Sequence, residues 1–374
     1  MPTYIHQSPH WPSFRWDAAL LAPTLDQVRF DQGRLLGRME SLGFPLQQDA
    51  TLKTLTADVL KSSEIEGEHL NADVVRSSIA RRLRIDIGAL KPTDRSVEGV
   101  VAMMLDATQS FSKPLTAKRL FGWHASLFPT GRTSLQRIRV GKWRNDATGP
   151  MQVVSGAMGK ERVHFEAPAA IRLPQEMKKF LAWFNQPGQP TSSDWLANAA
   201  IAHLWFVTIH PFDDGNGRIA RAIADMALAR SEKSQKRFYS MSAQIRLERN
   251  AYYQHLEDTQ RSRADITPWM LWFFGCLHRA IQGADLTLKS VLAKARFWER
   301  AAHLPLNPRH KLVLNLLLDN FEGKLTTSKW ALLTKSSQDT AARDIQLLVE
   351  NLILTRNSAG GRSTSYSLVK TPAK

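Results

Sequence analysis

The sequence predicts a mainly α fold, and three observations carry the prediction. Apolar residues recur at helical spacing through most of the 374 residues. Strand-like patterning is confined to two short stretches, 151–166 and 355–368, each broken by a polar turn with glycine. No internal repeat or low-complexity tract points to a solenoid or a disordered segment.

Taken in order, the opening from Tyr4 to Trp16 is rich in Pro and Trp and reads as extended chain laid over a core. Over 18–42, Leu25, Val28, Leu35, Leu36 and Met39 fall on one stripe, which predicts an amphipathic helix. The same period predicts helices over 52–70, 97–111, 175–184, 195–209, 218–229 and 266–281. A connecting helix is expected over about 287–303, then short helices over 309–321 and 327–333. A polar turn at Lys335 precedes a third helix over 338–352, which Ser337 would cap. With 355–368 as a hairpin, this order of helix, helix, turn, helix and wing resembles a winged helix-turn-helix. Boundaries near Pro92 and Pro305 give three expected domains, 1–95, 96–285 and 286–374.

At 43% hydrophobic and 22% charged residues, the composition is that of an ordinary globular protein. No run of about 18 uncharged apolar residues exists, so neither a spanning helix nor a membrane partner is expected. The opening residues lack the pattern of a secretory leader. Cys276 is the sole cysteine, which excludes an internal disulfide and a cysteine-built zinc site. A reducing, cytoplasmic setting is the expectation. The net charge of +16 asks for an acidic partner, whether nucleotide phosphates, nucleic acid or an acidic protein, unless it reflects a generally basic host. Basic residues outnumber acidic ones most clearly over 286–374, a candidate nucleic-acid contact.

The informative segment is 210–221, which reads His-Pro-Phe-Asp-Asp-Gly-Asn-Gly-Arg-Ile-Ala-Arg. An apolar helix ends at His210, and a glycine-rich loop feeds directly into the next helix. Such a loop exposes backbone N–H groups, and the helix that follows adds partial positive charge at its start, so the two make an anion nest suited to phosphates. Arg218 and Arg221 lie one turn apart on one helical face and can reach the same polyphosphate. Asp214 offers a hard oxygen ligand for a nucleotide-bound Mg²⁺. His210, at the edge of the loop, titrates in a range suited to taking a proton from a hydroxyl. His124 and His203 sit in apolar stretches and read as core or near-site residues rather than metal ligands.

This segment resembles the Fic family pattern H-x-F-x-[D/E]-G-N-G-R-x-x-R at every fixed position. The resemblance implies a Fic-type helical core with a β-hairpin flap, a helical N-terminal domain and a C-terminal winged helix-turn-helix. It implies that His210 is the general base, that Phe212 anchors the loop, and that Asp214 holds Mg²⁺ against the α- and β-phosphates of ATP. Gly215, Asn216 and Gly217 would form the anion hole, while Arg218 and Arg221 bind phosphates, Arg221 at the γ position. With Gly-Asn-Gly intact, AMP transfer is implied rather than the reversed nucleotide binding of family members that act as kinases. Upstream, Ser62-Ser-Glu-Ile-Glu66-Gly67 resembles the family's inhibitory pattern [S/T]-x-x-x-E-[G/N]. In that pattern the glutamate pairs with the arginine corresponding to Arg221 and displaces the γ-phosphate.

Two further likenesses are shorter. The hairpin over 151–166 resembles the family's flap, with Val163, His164 and Phe165 implied as the positions that dock a target segment by strand addition. The stretch from Arg249 resembles the adenosine-contacting helix, where Asn250 would hydrogen-bond the nucleoside and Tyr253, or Tyr252 in its place, would stack on adenine.

The functional expectation is therefore a protein adenylyltransferase that moves AMP from ATP to a Tyr, Thr or Ser hydroxyl, its own included, and is autoinhibited by Glu66. Two alternatives stand beside it. One is a DNA-binding regulator that uses the Fic core as a nucleotide sensor, with Lys335, Arg343, Arg356 and Arg362 on phosphates, and with Asp339, Asp344 and Glu350 weakening that face. A protein contact through the same domain fits as well. The other is removal of AMP at the same site, with Glu66 positioning water. The target protein and self-association as a homodimer stay open.

Overall fold

Asp17 opens the first long helix, α1 (Ala18–Glu40), its carboxylate accepting from the N–H groups of Ala19 at 2.9 Å and Leu20 at 3.1 Å. The helix buries Leu21, Val28, Leu35 and Met39, much of the stripe that the periodicity predicts. In this computed structural model the described residues are 4–88, 90–133, 137–147, 149–156, 160, 162–186, 195–262, 264–319, 321, 323–357 and 364–369. The fold is mainly helical, as expected, and the chain divides into two units, Met1–Val291 and Leu292–Lys374.

In the first unit, α1 is followed by α2 (Phe44–Ile65), α3 (Ala72–Leu83), α4 (Arg95–Gln109) and α5 (Ala117–Leu127). A two-stranded antiparallel hairpin, β1 (Gln152–Ser155) and β2 (Arg162–Glu166), comes next, its register shifting between Val153 and Val154. Then come α6 (Leu173–Asn185), α7 (Trp195–Ile209), α8 (Asn216–Glu232), α9 (Met241–Leu247), α10 (Arg249–Gln260) and the first part of α11 (Thr267–Ala301). The pair α7 and α8 lies at the centre. Leu204, Phe206, Ile209, Ile219, Ile223 and Met226 are fully buried there, and the indole N–H of Trp269 on α11 donates to Ala200 O at 2.9 Å. Among the described residues, no helix is long and apolar enough to cross a membrane.

The second unit holds the end of α11, then α12 (Pro308–Leu318), α13 (Thr327–Thr334), α14 (Gln338–Glu350) and the antiparallel strands β3 (Leu354–Arg356) and β4 (Tyr366–Leu368). Ser337 caps α14 by accepting from Thr340 N at 3.2 Å, as its position before the third helix predicts. Val313, Leu314, Trp330, Ile345 and Leu348 form its core. Within it, the buried Asp344 carboxylate accepts from Arg309 Nε at 2.7 Å and from the Trp330 indole N–H at 3.3 Å.

Three local expectations are corrected. The Tyr4–Trp16 stretch is not simply extended, since Ile5–Gln7 form one turn of 3₁₀ helix that buries Ile5 and His6. The helix expected over 52–70 begins at Phe44 and stops at Ile65, where Gly67 takes a left-handed φ of 84°. α3, α5 and α9 were not expected. In α3, Ser77 and Ser78 occupy buried positions beside Val75 and Ile79, so its inner face does not read as apolar.

Candidate active site

The last turn of α7 delivers His210 at φ 51°, a left-handed conformation that ends the helix and starts the loop. Its Nδ1 lies 3.2 Å from Val207 O. A carbonyl only accepts, so Nδ1 carries the proton and Nε2 keeps its lone pair. Burial, seconded by the charge of Arg144 and opposed by the Val207 carbonyl, Asp214 and Glu66, lowers the His210 pKa to about 4. The imidazole is therefore neutral at pH 7, the state in which it can accept a proton.

The loop beyond it is held from inside. Phe212 is fully buried and stacks on His124, ring centroids 4.2 Å apart and planes 11° apart. His124 Nδ1 accepts from Gly141 N at 3.1 Å, and burial lowers the pKa of this imidazole to about 4. Asn216 folds back on the loop, donating to Phe212 O at 2.8 Å and accepting from Phe212 N at 3.0 Å. Gly215 sits at the cap of α8 with φ 77°, and a Cβ there would meet the Phe128 ring at 2.9 Å. Ile219 N is the first to find a carbonyl in the helix, Gly215 O at 3.0 Å, so the N–H groups of Asn216, Gly217 and Arg218 have no acceptor within it. This is an anion nest with a fixed frame. Of the two adjacent carboxylates, Asp213 accepts from Arg139 N at 2.7 Å, whereas Asp214 accepts from its neighbour Gly215 N at 2.5 Å.

Both arginines of the segment are met by acids from the end of α2. Arg221, 2% exposed, donates from Nη2 to Glu66 Oε1 at 2.7 Å and Ser62 O at 2.9 Å, and from Nε to Ser62 Oγ at 3.0 Å. Burial opposes its charge, but Glu66, with Tyr252 and Tyr253 adding to it, outweighs burial, and its pKa lies above the ordinary value. Arg218, equally buried, donates from Nη1 to Glu68 Oε2 at 2.6 Å and lies 5.1 Å from the Phe128 ring centroid. Its Nε has no partner among the described residues. The left-handed Gly67 lies between the two glutamates. A Cβ on Gly217 would clash with Glu66 Oε1, so the carboxylate lies directly over the nest.

A pocket of about 490 Å³ opens between the end of α2 and the α9–α10 corner, lined by Gly67, His69, Arg246, Arg249 and Asn250 among others. Arg249 donates to Ile65 O at 2.9 Å and lies 5.0 Å from the Tyr253 ring centroid. The hairpin is tied to α10: His164 Nδ1 lies 2.6 Å from Glu257 Oε2, and Arg162 donates to Glu257 Oε1 at 2.9 Å. Arg261 donates to the carbonyls of Val163 and His164, each at 3.1 Å.

Residues 114–228 match the Fic/DOC family model. The centre of this chain is a Fic/DOC domain. Residues 4–85 match a domain of unknown function, DUF4172. A protein adenylyltransferase Fic of Aedes aegypti is 30% identical over 275 residues, which are 71% of this chain and 50% of that protein. A uridine 5'-monophosphate transferase of Xanthomonas campestris is 32% identical over 121 residues, 31% of this chain and 21% of that one. The chain spans about half or less of the length of the curated relatives it matches. In fold, it is similar to a Fic family protein from Desulfovibrio desulfuricans G20, with a TM-score of 0.52 at 20% identity, covering 94% of this chain and 98% of that one.

Around the Fic/DOC domain the expected residues separate into groups. His210, Asp214, Gly215, Gly217, Arg218 and Arg221 share one loop and helix start, and Ser62 and Glu66 reach them from α2. Asn216 offers its N–H at the start of α8, while its side chain braces the loop. Tyr252 is buried with its hydroxyl 2.9 Å from His203 Nε2, while Tyr253 is 36% exposed and Asn250 is exposed. The Phe165 ring is buried edge-on to Tyr4, centroids 5.1 Å apart, so at this position only the main chain is left for strand addition. The exposed side chains of the hairpin belong to Gln152, Val154 and Ser155 on β1 and Arg162 on β2. Two residues at the site escaped the sequence reading. Glu68 carried only a weak signal, an acid just past Gly67, and Arg144 carried none.

Proposed function

We propose that this chain transfers AMP from ATP to a Tyr, Thr or Ser hydroxyl of a protein, its own included, and that Glu66 restrains the reaction. The observation that carries the reading is the Glu66 carboxylate, held by Arg221 over Gly217 at the start of α8. A site that takes a carboxylate there takes a phosphate on the same donors, and only one of the two at a time.

In the forward reaction the target hydroxyl gives its proton to His210 Nε2 while its oxygen attacks the α-phosphorus. The bond from that phosphorus to the bridging oxygen breaks, and pyrophosphate leaves with the electron pair. The nest and both arginines stabilise the charge that builds on the phosphate oxygens. Asp214 suits a magnesium ion carried in on the nucleotide, since Mg²⁺ commonly takes one or two carboxylates with phosphate oxygens and water. No cluster of three or more His, Cys, Asp or Glu able to hold a metal by itself occurs among the described residues. Asn250 lines the pocket beside Gly67, and Asn250 and Tyr253 are the proposed nucleoside contacts, with the exposed Tyr253 preferred over the buried Tyr252. Strand addition of the target is assigned to the exposed β1.

The test is label transfer from [α-³²P]ATP to protein by the wild type, Glu66→Gly and His210→Ala. Glu66→Gly should gain label and His210→Ala should show none; equal label on wild type and His210→Ala would remove the proposal. Running UTP in parallel decides the base, since relatives of both kinds are known by name.

The position of Asp344 supports a second role, for the second unit. Of the acids that would weaken a DNA-facing surface on α14, this one is turned inward onto Arg309, while Lys335, Arg343 and Arg356 are exposed. Arg362 lies outside the described residues. With α14 as reading helix and β3–β4 as wing, duplex binding should weaken steeply with salt. A gel shift at two salt concentrations checks it, and no shift at either removes it.

A further inference from the structure

Arg144 lies between α5 and β1 and is 3% exposed, with the side chain fully buried. Its backbone N–H donates to Pro211 O at 2.9 Å and its Nε to His210 O at 2.8 Å, so one residue holds two successive carbonyls of the turn after α7. Nη1 donates to Asp146 Oδ1 at 2.9 Å, and Nη2 donates to the carbonyl of Pro168, just past β2. Asp146 in turn accepts from Ala170 N at 2.6 Å. The neighbouring Trp143 packs on Phe212, ring centroids 5.1 Å apart.

His210 needs such a hold. Side-chain-bearing residues seldom adopt its φ of 51°, and they keep it only where the surroundings over-determine it. The planar guanidinium fork suits this task, because it reaches three acceptors on three segments in one fixed geometry, which a lysine ammonium cannot reproduce.

We infer that Arg144 is the positioning residue for the base: it locks the His210 backbone so that the imidazole keeps one rotamer, Nδ1 on Val207 O and Nε2 open. The inference rests on His210 being the base of the proposed transfer. Because the same guanidinium reaches Pro168, placement of the base is mechanically joined to the root of the β1–β2 hairpin, where the target would dock. Arg144 makes no hydrogen bond to the nest residues 215–221, so its loss should impair the chemical step and spare nucleotide binding.

The experiment compares Arg144→Lys and Arg144→Met in the Glu66→Gly background, measuring initial rates of AMP transfer across ATP concentrations. Expected are falls in kcat of about tenfold for Lys and about 100-fold for Met, as for a reacting group displaced by a fraction of an ångström to an ångström. KM for ATP should stay within about twofold, because the nest is intact. Side-chain nitrogen NMR of the full chain adds a readout independent of turnover, with the His210 ring assigned by its loss in His210→Ala. The Glu66→Gly parent should show a single Nδ1–H tautomer, and Arg144→Lys a tautomer average. Unchanged kcat in both variants, a KM that rises in step with the loss, or a Lys variant whose His210 tautomer is undisturbed would each overturn the inference. Full transfer by His210→Ala would instead overturn the reading of His210 as the base, and the tautomer measurement would still decide the role of Arg144.

Discussion

Glu66 Oε1 stands 2.7 Å from Arg221 Nη2 and occupies the space that a side chain on Gly217 would need. The carboxylate thus lies over the start of α8, and under the proposed function its removal should free that place for a phosphate. Truncating one partner of a desolvated charge pair shifts a competing equilibrium by about 2–5 kcal/mol, and the 29% exposure of Glu66 argues for the lower part of that range. Glu66→Gly is therefore expected to raise the initial rate of label transfer by roughly 10- to 100-fold at ATP concentrations below saturation. A variant no faster than wild type would show that the pair does not limit phosphate entry.

Glu68 repeats the arrangement on Arg218, at 2.6 Å but with 47% of its side chain exposed. Solvent screening makes such a pair weaker. Glu68→Gln alone should change the rate by less than about threefold, because Glu66 still fills the nest. In the Glu66→Gly background it should add a further gain of about threefold, visible as a lower KM for ATP with kcat unchanged. Identical KM values for the single and double variants would assign Glu68 to loop structure alone.

These two pairs show what the sequence made legible and what it did not. Residues adjacent in sequence, such as Asp214, Gly215, Gly217, Arg218 and Arg221, were readable because one loop and one helix turn fix their relative placement. The Glu66–Arg221 pair spans two helices and became readable only through its likeness to a known pattern. Glu68 gave only a weak signal and Arg144 none: an acid after a glycine and an arginine in a loop are common, and only the fold brings them to Arg218 and His210. Long periodic helices such as α1 and α7 were legible, whereas α3 hides its inner face behind Ser77 and Ser78. The packing of the Phe165 ring was hidden for a similar reason, since strand alternation does not say which face meets Tyr4 and His6.

Gly217→Ala separates the brake from the nest. The added methyl would displace Glu66, which by itself would activate, but it would also stand where a phosphate oxygen must lie. Loss of the nest should win, because the backbone at the start of α8 cannot retreat while Asn216 ties it to Phe212. In the Glu66→Gly background, Gly217→Ala is expected to lower kcat/KM for ATP by about 100-fold, the lower end of what losing an oxyanion-hole contact costs. Retained activity there would mean that phosphates sit elsewhere.

The helix that carries Glu66 is also seated by a buried acid. Asp58, one turn before Ser62, is 1% exposed and faces Asp225 on α8, Arg237, and the Ser240 and Ser242 groups at the start of α9. Burial, with Asp225 adding to it, pushes the Asp58 pKa up to about 8, against the pull of Arg237, Ser240 and Ser242. Asp225, which accepts from Arg237 Nη2 at 2.9 Å, is also raised by burial. A carboxyl whose folded pKa is raised binds its proton more tightly in the folded state. Its contribution to stability is full below the unfolded value near 4 and is lost as pH climbs toward 8. Wild-type Tm should accordingly fall by roughly 4 °C or more between pH 6 and pH 8.5 on account of this cluster. Asp58→Asn cannot ionise and still offers an oxygen to Ser240, so its Tm should fall less over the same interval. A variant whose Tm declines as steeply as the wild type would show that Asp58 is already ionised at pH 6.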